Sequence, residues 1–231
     1  MLFRQLFDSL SSTYTYVLAS GAGREAIIID PVREHTDRYL QVIAELDLKL
    51  VIAIDTHTHA DHITALGKLR DASGCITVMG AQTKAECVSY RVSDGETLQS
   101  DGVALRALFT PGHTNESFSF ILEGPAPLAV FTGDVLLIRG SGRTDFQGGD
   151  PHQSWNSIVN KLFRLPDETL IYPAHDYKGW TVSSIGEERR HNPRLANRSE
   201  EQYVDIMRNL NLPNPKMMDE AIPANLACGM N

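Results

Sequence analysis

The run LVIAIDTHTHADHITA, Leu50 to Ala65, sets three histidines and two aspartates directly behind five apolar residues. A short β-branched apolar run of this kind reads as a buried strand. Polar groups are costly to bury without partners, so a cluster of imidazoles and carboxylates at a strand end needs a reason. A solvated, histidine-rich loop is one reading. A metal site is the other, because imidazole nitrogen and carboxylate oxygen together suit zinc, iron or manganese. His57 and His59 are two residues apart, so a turn lets both point inward. Ile63, Leu66 and Leu69 carry helical spacing, which predicts a helix whose first turn holds Asp61 and His62, where the helix dipole favours a carboxylate.

The rest of the chain decides between the two readings. YTYVLAS (14–20) and EAIIID (25–30) predict a hairpin turning at Gly21 and Gly23, and TDRYLQVIAELDLK (36–49) predicts a helix. VALRALFT (103–110), SFSFILEG (117–124), LAVFTGD (128–134) and TLIYPAH (169–175) read as strands, and HQSWNSIVNKLFRL (152–165) as a helix with Trp155 and Phe163 in its core face. Four apolar strands therefore end on His57, on Pro111-Gly112-His113, on Gly133-Asp134 and on Pro173-Ala174-His175. Ligands gather on loops beyond the carboxyl ends of strands. Four such ends, one bearing His-x-His-x-Asp-His, favour the metal. From the residues alone, His57, His59, Asp61, His62, His113, Asp134 and His175 could hold two zinc ions as well as one ion of another kind.

Bulk properties bound the alternatives. The chain has 231 residues, 42% hydrophobic and 22% charged, with 17 Gly and 11 Pro, and is read as a single domain over 1–231. A net charge of -8 argues against a nucleic-acid partner. No segment approaches the ~18 apolar residues of a membrane helix, so no membrane partner is expected. The N-terminus lacks the pattern of a signal peptide, and Cys75, Cys87 and Cys228 are odd in number and widely spaced. No disulfide is expected, and the cytoplasm is the expected location. NLNLPNPKMMDEAIPAN (209–225) reads as a proline-punctuated tail. GEERRHNPRL (186–195) reads as a solvated helical face with internal ion pairs, and His191 on it as no ligand.

THTHADH, TPGHT, FTGD and PAHDY together resemble the metal-binding set of the metallo-β-lactamase superfamily. That resemblance implies an α/β fold, an αββα sandwich with the metal at one edge. RGSGRTDFQGGD (139–150), YPAHDYKGWTVSSIGEERRHNPRL (172–195) and DEAIPANLACG (219–229) are similar to the persulfide dioxygenases. This narrower resemblance implies a non-haem enzyme with one Fe(II) per chain, which oxidises glutathione persulfide with O2 and water to sulfite and glutathione. A homodimer is also among its implications. It implies His57, His113 and Asp134 as iron ligands, with His59, Asp61, His62 and His175 orienting them. Ser141 stands where that family often has cysteine, which speaks against a reactive thiol there.

Arg143 is the first choice for clamping a glutathione carboxylate, because guanidinium pairs bidentately with carboxylate. Tyr177, Arg139 and Lys178 are further substrate-binding candidates. The competing reading for Arg143 is an ion pair with Asp145, and for Tyr177 plain packing. Two other functions compete with the dioxygenase: a glyoxalase II-type dinuclear thioester hydrolase, and a non-catalytic metal or oxygen sensor. SGRTDF and NLACG favour the dioxygenase over the hydrolase, and no amphipathic partner segment supports the sensor.

Overall fold

The computed structural model describes residues 1–124 and 128–230. One six-stranded sheet is built from β1 (Leu2–Asp8), β2 (Thr13–Ala19), β3 (Glu25–Ile29), β4 (Lys49–Ile54), β5 (Ile76–Gly80) and β6 (Tyr90–Val92), in that spatial order. The other contains β7 (Thr97–Ser100), β8 (Val103–Phe109), β9 (Phe118–Leu122), β10 (Ala129–Gly133), β11 (Leu170–Pro173) and β12 (Ser183–Ser184), in the order β12-β11-β10-β9-β8-β7. The helices are α1 (Thr36–Glu45), α2 (Leu66–Ser73), α3 (Pro151–Trp155), α4 (Ile185–His191), α5 (Glu200–Arg208) and α6 (Met218–Leu226). Among the described residues, no helix is long and apolar enough to cross a membrane.

The chain divides into two compact units. The first comprises Met1–Val92, Thr97–Ala104 and Asn214–Asn231, and the second Ser93–Glu96 and Leu105–Pro213. In the first, the expected hairpin forms as β2 and β3, and its turn contains Gly23 at φ 71°. β4 then runs parallel to both β3 and β5. Central strands are apolar on both faces, which explains the unbroken run LVIAI. β1 pairs with β2 at the sheet edge. Its apolar residues are only partly buried, so its pattern is weak in the sequence. Val17, Ile28, Tyr39, Leu66 and Leu69 pack α1 and α2 onto this sheet. In the second unit, Ile121, Val130, Ile158, Ile171 and Tyr203 form a separate core, against which Trp155 and Phe163 pack as expected.

Several expectations need correction. HQSWNSIVNKLFRL is not one regular helix: α3 continues through a wider π-type turn (Asn156–Lys161) and a tight 3-10 turn (Leu162–Arg164). Asp61 and His62 precede α2 rather than opening it. A helix starting at Asp61 would need the Ala65 N–H for the Asp61 carbonyl, but Ala65 donates to Pro31 at 2.7 Å. The Ile63 carbonyl accepts from Arg33 at 2.8 Å, and Gly67 donates to Cys228 at 2.9 Å. These longer-range bonds hold 59–65 as a loop, and the Thr64 hydroxyl caps the Leu66 N–H at 3.1 Å. The segment read as a tail holds α6, with Pro223 inside it, and Ala221 and Ala224 pack on Ile63.

The cysteine reading is also overturned. Cys87 and Cys228 form a disulfide across 141 residues of sequence, and Cys75 is buried and free. The link ties the end of α6 to the connection between β5 and β6. Closing so long a loop restricts the unfolded chain, an effect of about 2–4 kcal/mol. Cys228→Ser should therefore lower stability by roughly that amount in urea titrations without reductant. Adding reductant should lower the wild-type midpoint to the variant's and leave the variant's where it is.

Candidate metal centre

In the first unit the motif is fastened by a residue outside it. Directly after β3, Asp30 adopts a left-handed conformation (φ 51°) that aspartate tolerates better than most residues. Its buried carboxylate accepts three hydrogen bonds. Oδ1 takes the Thr56 N–H at 2.7 Å and His59 Nε2 at 3.1 Å, and Oδ2 takes the Thr56 hydroxyl at 3.1 Å. Because the single Thr56 hydroxyl proton goes to Asp30, its oxygen accepts from His57 Nδ1 at 3.0 Å. That bond puts the His57 lone pair on Nε2, the arrangement by which neighbouring groups fix a ligand's tautomer. The sequence reading missed Asp30. The signal was present, since EAIIID is a further apolar strand ending on a carboxylate.

His57, His59 and His62 are all buried, with ring centroids 4.2 Å apart for the first pair and 4.3 Å for the second. Burial alone would drive protons off His59. The charges of Asp30, Asp55 and Asp61, with the Asp30 hydrogen bond, outweigh it and push the imidazole up to about 9. His59 Nδ1 has no hydrogen-bond partner among the described residues, a buried orphan of the kind an ion or ordered water satisfies. Ligand atoms of His59, Asp61 and His62 lie within 4.8 Å of one another, as do those of Asp30, Asp55 and His59. His62 Nδ1 meets Asp61 at 2.8 Å, and Thr13 contacts both. From Thr13, hydrogen bonds continue through Ser11 and Asp8 to His35.

In the second unit, His113, Asp134 and His175 come together. His113 Nδ1 donates to the Arg143 carbonyl at 2.8 Å, which leaves the lone pair on Nε2, 3.6 Å from Asp134 Oδ2. His175 Nδ1 lies 2.6 Å from Asp134 Oδ1. Gly142 is required here: a Cβ would lie 2.1 Å from the Asp134 carbonyl and 2.8 Å from His113 Nδ1. This is the physical content of the RGSGRTDF stretch. Ser141 beside it is buried, its Oγ accepting from the Tyr203 hydroxyl at 3.1 Å.

The four substrate-binding candidates separate into two kinds. Arg143 pairs bidentately with Asp145 (2.6 and 2.7 Å), donates to the Pro213 carbonyl at 2.7 Å, and lies over the Phe146 ring. Arg139 pairs with both Glu187 and the buried Glu188, and sits over Trp180. Both guanidiniums therefore have carboxylate partners within the chain, and for Arg143 that partner is the Asp145 of the competing reading. Tyr177 and Lys178 are exposed, and the Tyr177 ring stacks on His175 with an interplanar angle of 4°. Asp176 shapes this rim by accepting the N–H groups of Lys178 (2.8 Å) and Trp180 (2.7 Å). His191 is exposed on α4.

The donor chemistry fits a metal: imidazoles with their tautomers set, a carboxylate braced by a neighbour, and no cysteine among them. The metallo-β-lactamase superfamily model matches residues 9–175. The human mitochondrial persulfide dioxygenase ETHE1 is 47% identical over all of this chain and 89% of its own length. The chain belongs to the metallo-β-lactamase superfamily, in its persulfide dioxygenase branch. The crystal structure of ETHE1 from Myxococcus xanthus shares 54% identity with a TM-score of 0.95, covering 99% of this chain and 100% of that one. A hydroxyacylglutathione hydrolase, GloC of Haemophilus influenzae, is more distant, at 34% identity over 76% of this chain and 90% of its own. The expected α/β metallo-β-lactamase fold is thus borne out.

Asp30→Ala would leave three buried donors unpaired. It should cost about 3–5 kcal/mol, read by chemical denaturation of the metal-free protein. Asp30→Asn keeps the shape and one acceptor and should cost less.

Proposed function

We propose that this persulfide dioxygenase uses one Fe(II) per chain, held by His57, His113 and Asp134, to oxidise glutathione persulfide. Two imidazoles and one carboxylate are a donor set that suits non-haem Fe(II) and would leave it room for further ligands. The observation that carries the reading is the bracing of His113 and Asp134. One has its tautomer set by the Arg143 carbonyl, and the other is gripped by His175. Iron held by these residues would supply the redox chemistry that the reaction of a persulfide with O2 requires. The persulfide, O2 and one water give sulfite, the free thiol and two protons, with both oxygen atoms of O2 delivered to the outer sulfur.

The chain's own groups do the rest. His175 keeps the Asp134 carboxylate from rotating, and Thr56 does the same for the His57 ring through Nδ1. Holding the reactants in one geometry removes much of the entropic cost of bringing them together. Lys178 and the Tyr177 hydroxyl, exposed on the rim that Asp176 orders, offer a cation and a donor to the carboxylates of glutathione. Arg139 and Arg143 stiffen the neighbouring segments. His59, Asp61 and His62 orient the motif and do not ligate in this reading.

A second reading has one observation in its favour. The His59, Asp61 and His62 ligand atoms are close enough to take a second ion, as a dinuclear thioester hydrolase requires. The weaker likeness to the hydroxyacylglutathione hydrolase speaks against it. Metal analysis separates the two: one iron per chain supports the dioxygenase, and two ions with hydrolysis of an acyl-glutathione support the alternative. Oxygen uptake on adding glutathione persulfide should yield one sulfite per O2 and vanish in His113→Ala. His175→Ala should lower activity or iron affinity about 10–100-fold, the usual effect of removing a group that braces a ligand.

A further inference from the structure

α6 ends against the histidine motif, and one side chain joins them. Asn225 is buried, and its amide is fully used. Nδ2 donates to the His59 carbonyl at 2.8 Å and to the His62 carbonyl at 2.9 Å. Oδ1 accepts from the Thr64 N–H at 2.8 Å. These bonds span 161 to 166 residues of sequence. Two of them, at the His62 carbonyl and the Thr64 N–H, take up main-chain groups that a helix starting at Asp61 would have used itself. The contact is tight on either side. Met217, Ala221 and Ala224 pack with Ile63, the Cys228 carbonyl accepts from Gly67, and a Cβ at Gly229 would lie 2.1 Å from the Thr64 carbonyl.

We propose that Asn225 is a positioning residue for the metal-binding motif. It grips the backbone at both ends of His59–His62 and thereby sets the direction of the loop that carries His57. A buried primary amide suits this work. It offers two donors and an acceptor in one plane, and it carries no charge that would compete with Asp30, Asp55 and Asp61 for the neighbouring imidazoles. An aspartate of equal size would keep the acceptor for Thr64 but turn a carboxylate oxygen onto two carbonyls. Packing alone would be indifferent to that exchange, whereas positioning would not. The inference rests on the proposed metal site but not on the identity of the ion.

The test compares Asn225→Asp with Met217→Ala, which loosens the same helix while leaving all three hydrogen bonds in place. Each metal-loaded protein is mixed with a chelator, the rate of metal release is followed, and the melting temperature of the metal-free form is recorded. Asn225→Asp should release its metal about 10–100-fold faster than wild type. At an equal loss of melting temperature, Met217→Ala should stay within about twofold on the same scale. Persulfide turnover by Asn225→Asp should fall in kcat with KM little changed. Equal release rates in the two variants would overturn the proposal.

Should Asn225→Asp not fold, the unmutated protein supplies the second measurement. By reciprocity, loading the metal should slow hydrogen exchange at the Thr64 amide several-fold more than at Leu69 in α2. An unchanged Thr64 amide would overturn the proposal. Because the readout is metal release and exchange, a wild-type protein that binds two zinc ions would refute the iron reading while still testing Asn225.

Discussion

The carboxylate of Asp30 is the constraint on which the rest of the first unit depends. A buried carboxylate is costly unless several donors satisfy it. Here the donors are the Thr56 N–H, the Thr56 hydroxyl and His59 Nε2. Satisfying one charge therefore fixes the end of β3 against the residues that follow β4. It also fixes the rotamer of Thr56, which sets the tautomer of His57. One electrostatic requirement thus passes through a hydroxyl to the nitrogen that would meet a metal. The left-handed backbone at Asp30 is the conformational cost of aiming that carboxylate back across the sheet end.

The second unit solves the same problem with different groups. There the backbone does the work that Asp30 and Thr56 do in the first. The Arg143 carbonyl sets the His113 tautomer, and Gly142 is small enough to let the chain pass against Asp134 and His113. Arg143 holds its own segment in place by pairing with Asp145 and the Pro213 carbonyl. Through these bonds the Arg143 side chain holds in place the carbonyl that His113 meets. Arg139 with Glu187 and Glu188 does the same for α4.

The sequence disclosed those parts of the fold and site that obey short-range rules. The strand runs and their polar ends at His57, His113, Asp134 and His175 were legible because apolar runs and strand-end chemistry are local patterns. The interactions that were missed are all long-range. The disulfide joins cysteines 141 residues apart. The helical start expected at Asp61 fails because Pro31, Arg33, Cys228 and Asn225 claim the main-chain groups it would need. Asp30 is hidden in the sequence because EAIIID has the pattern of half a hairpin. Its role depends on β3 lying beside β4, which strand composition alone does not state.

The same contrast explains why the C-terminal segment was misread. Two prolines at 213 and 215, and Pro223 within α6, make the stretch look unstructured by propensity. Proline inside a helix removes a hydrogen bond and costs about 3 kcal/mol, so α6 must be held by contacts outside itself. Those contacts are Ala221 and Ala224 against Ile63, the Cys87–Cys228 link, and the Asn225 amide in the motif loop. A helix stabilised from outside is one whose presence depends on the element it touches. Since that element is the histidine loop, the dependence runs both ways: the loop needs Asn225 to satisfy its carbonyls, and α6 needs the loop to offset its proline.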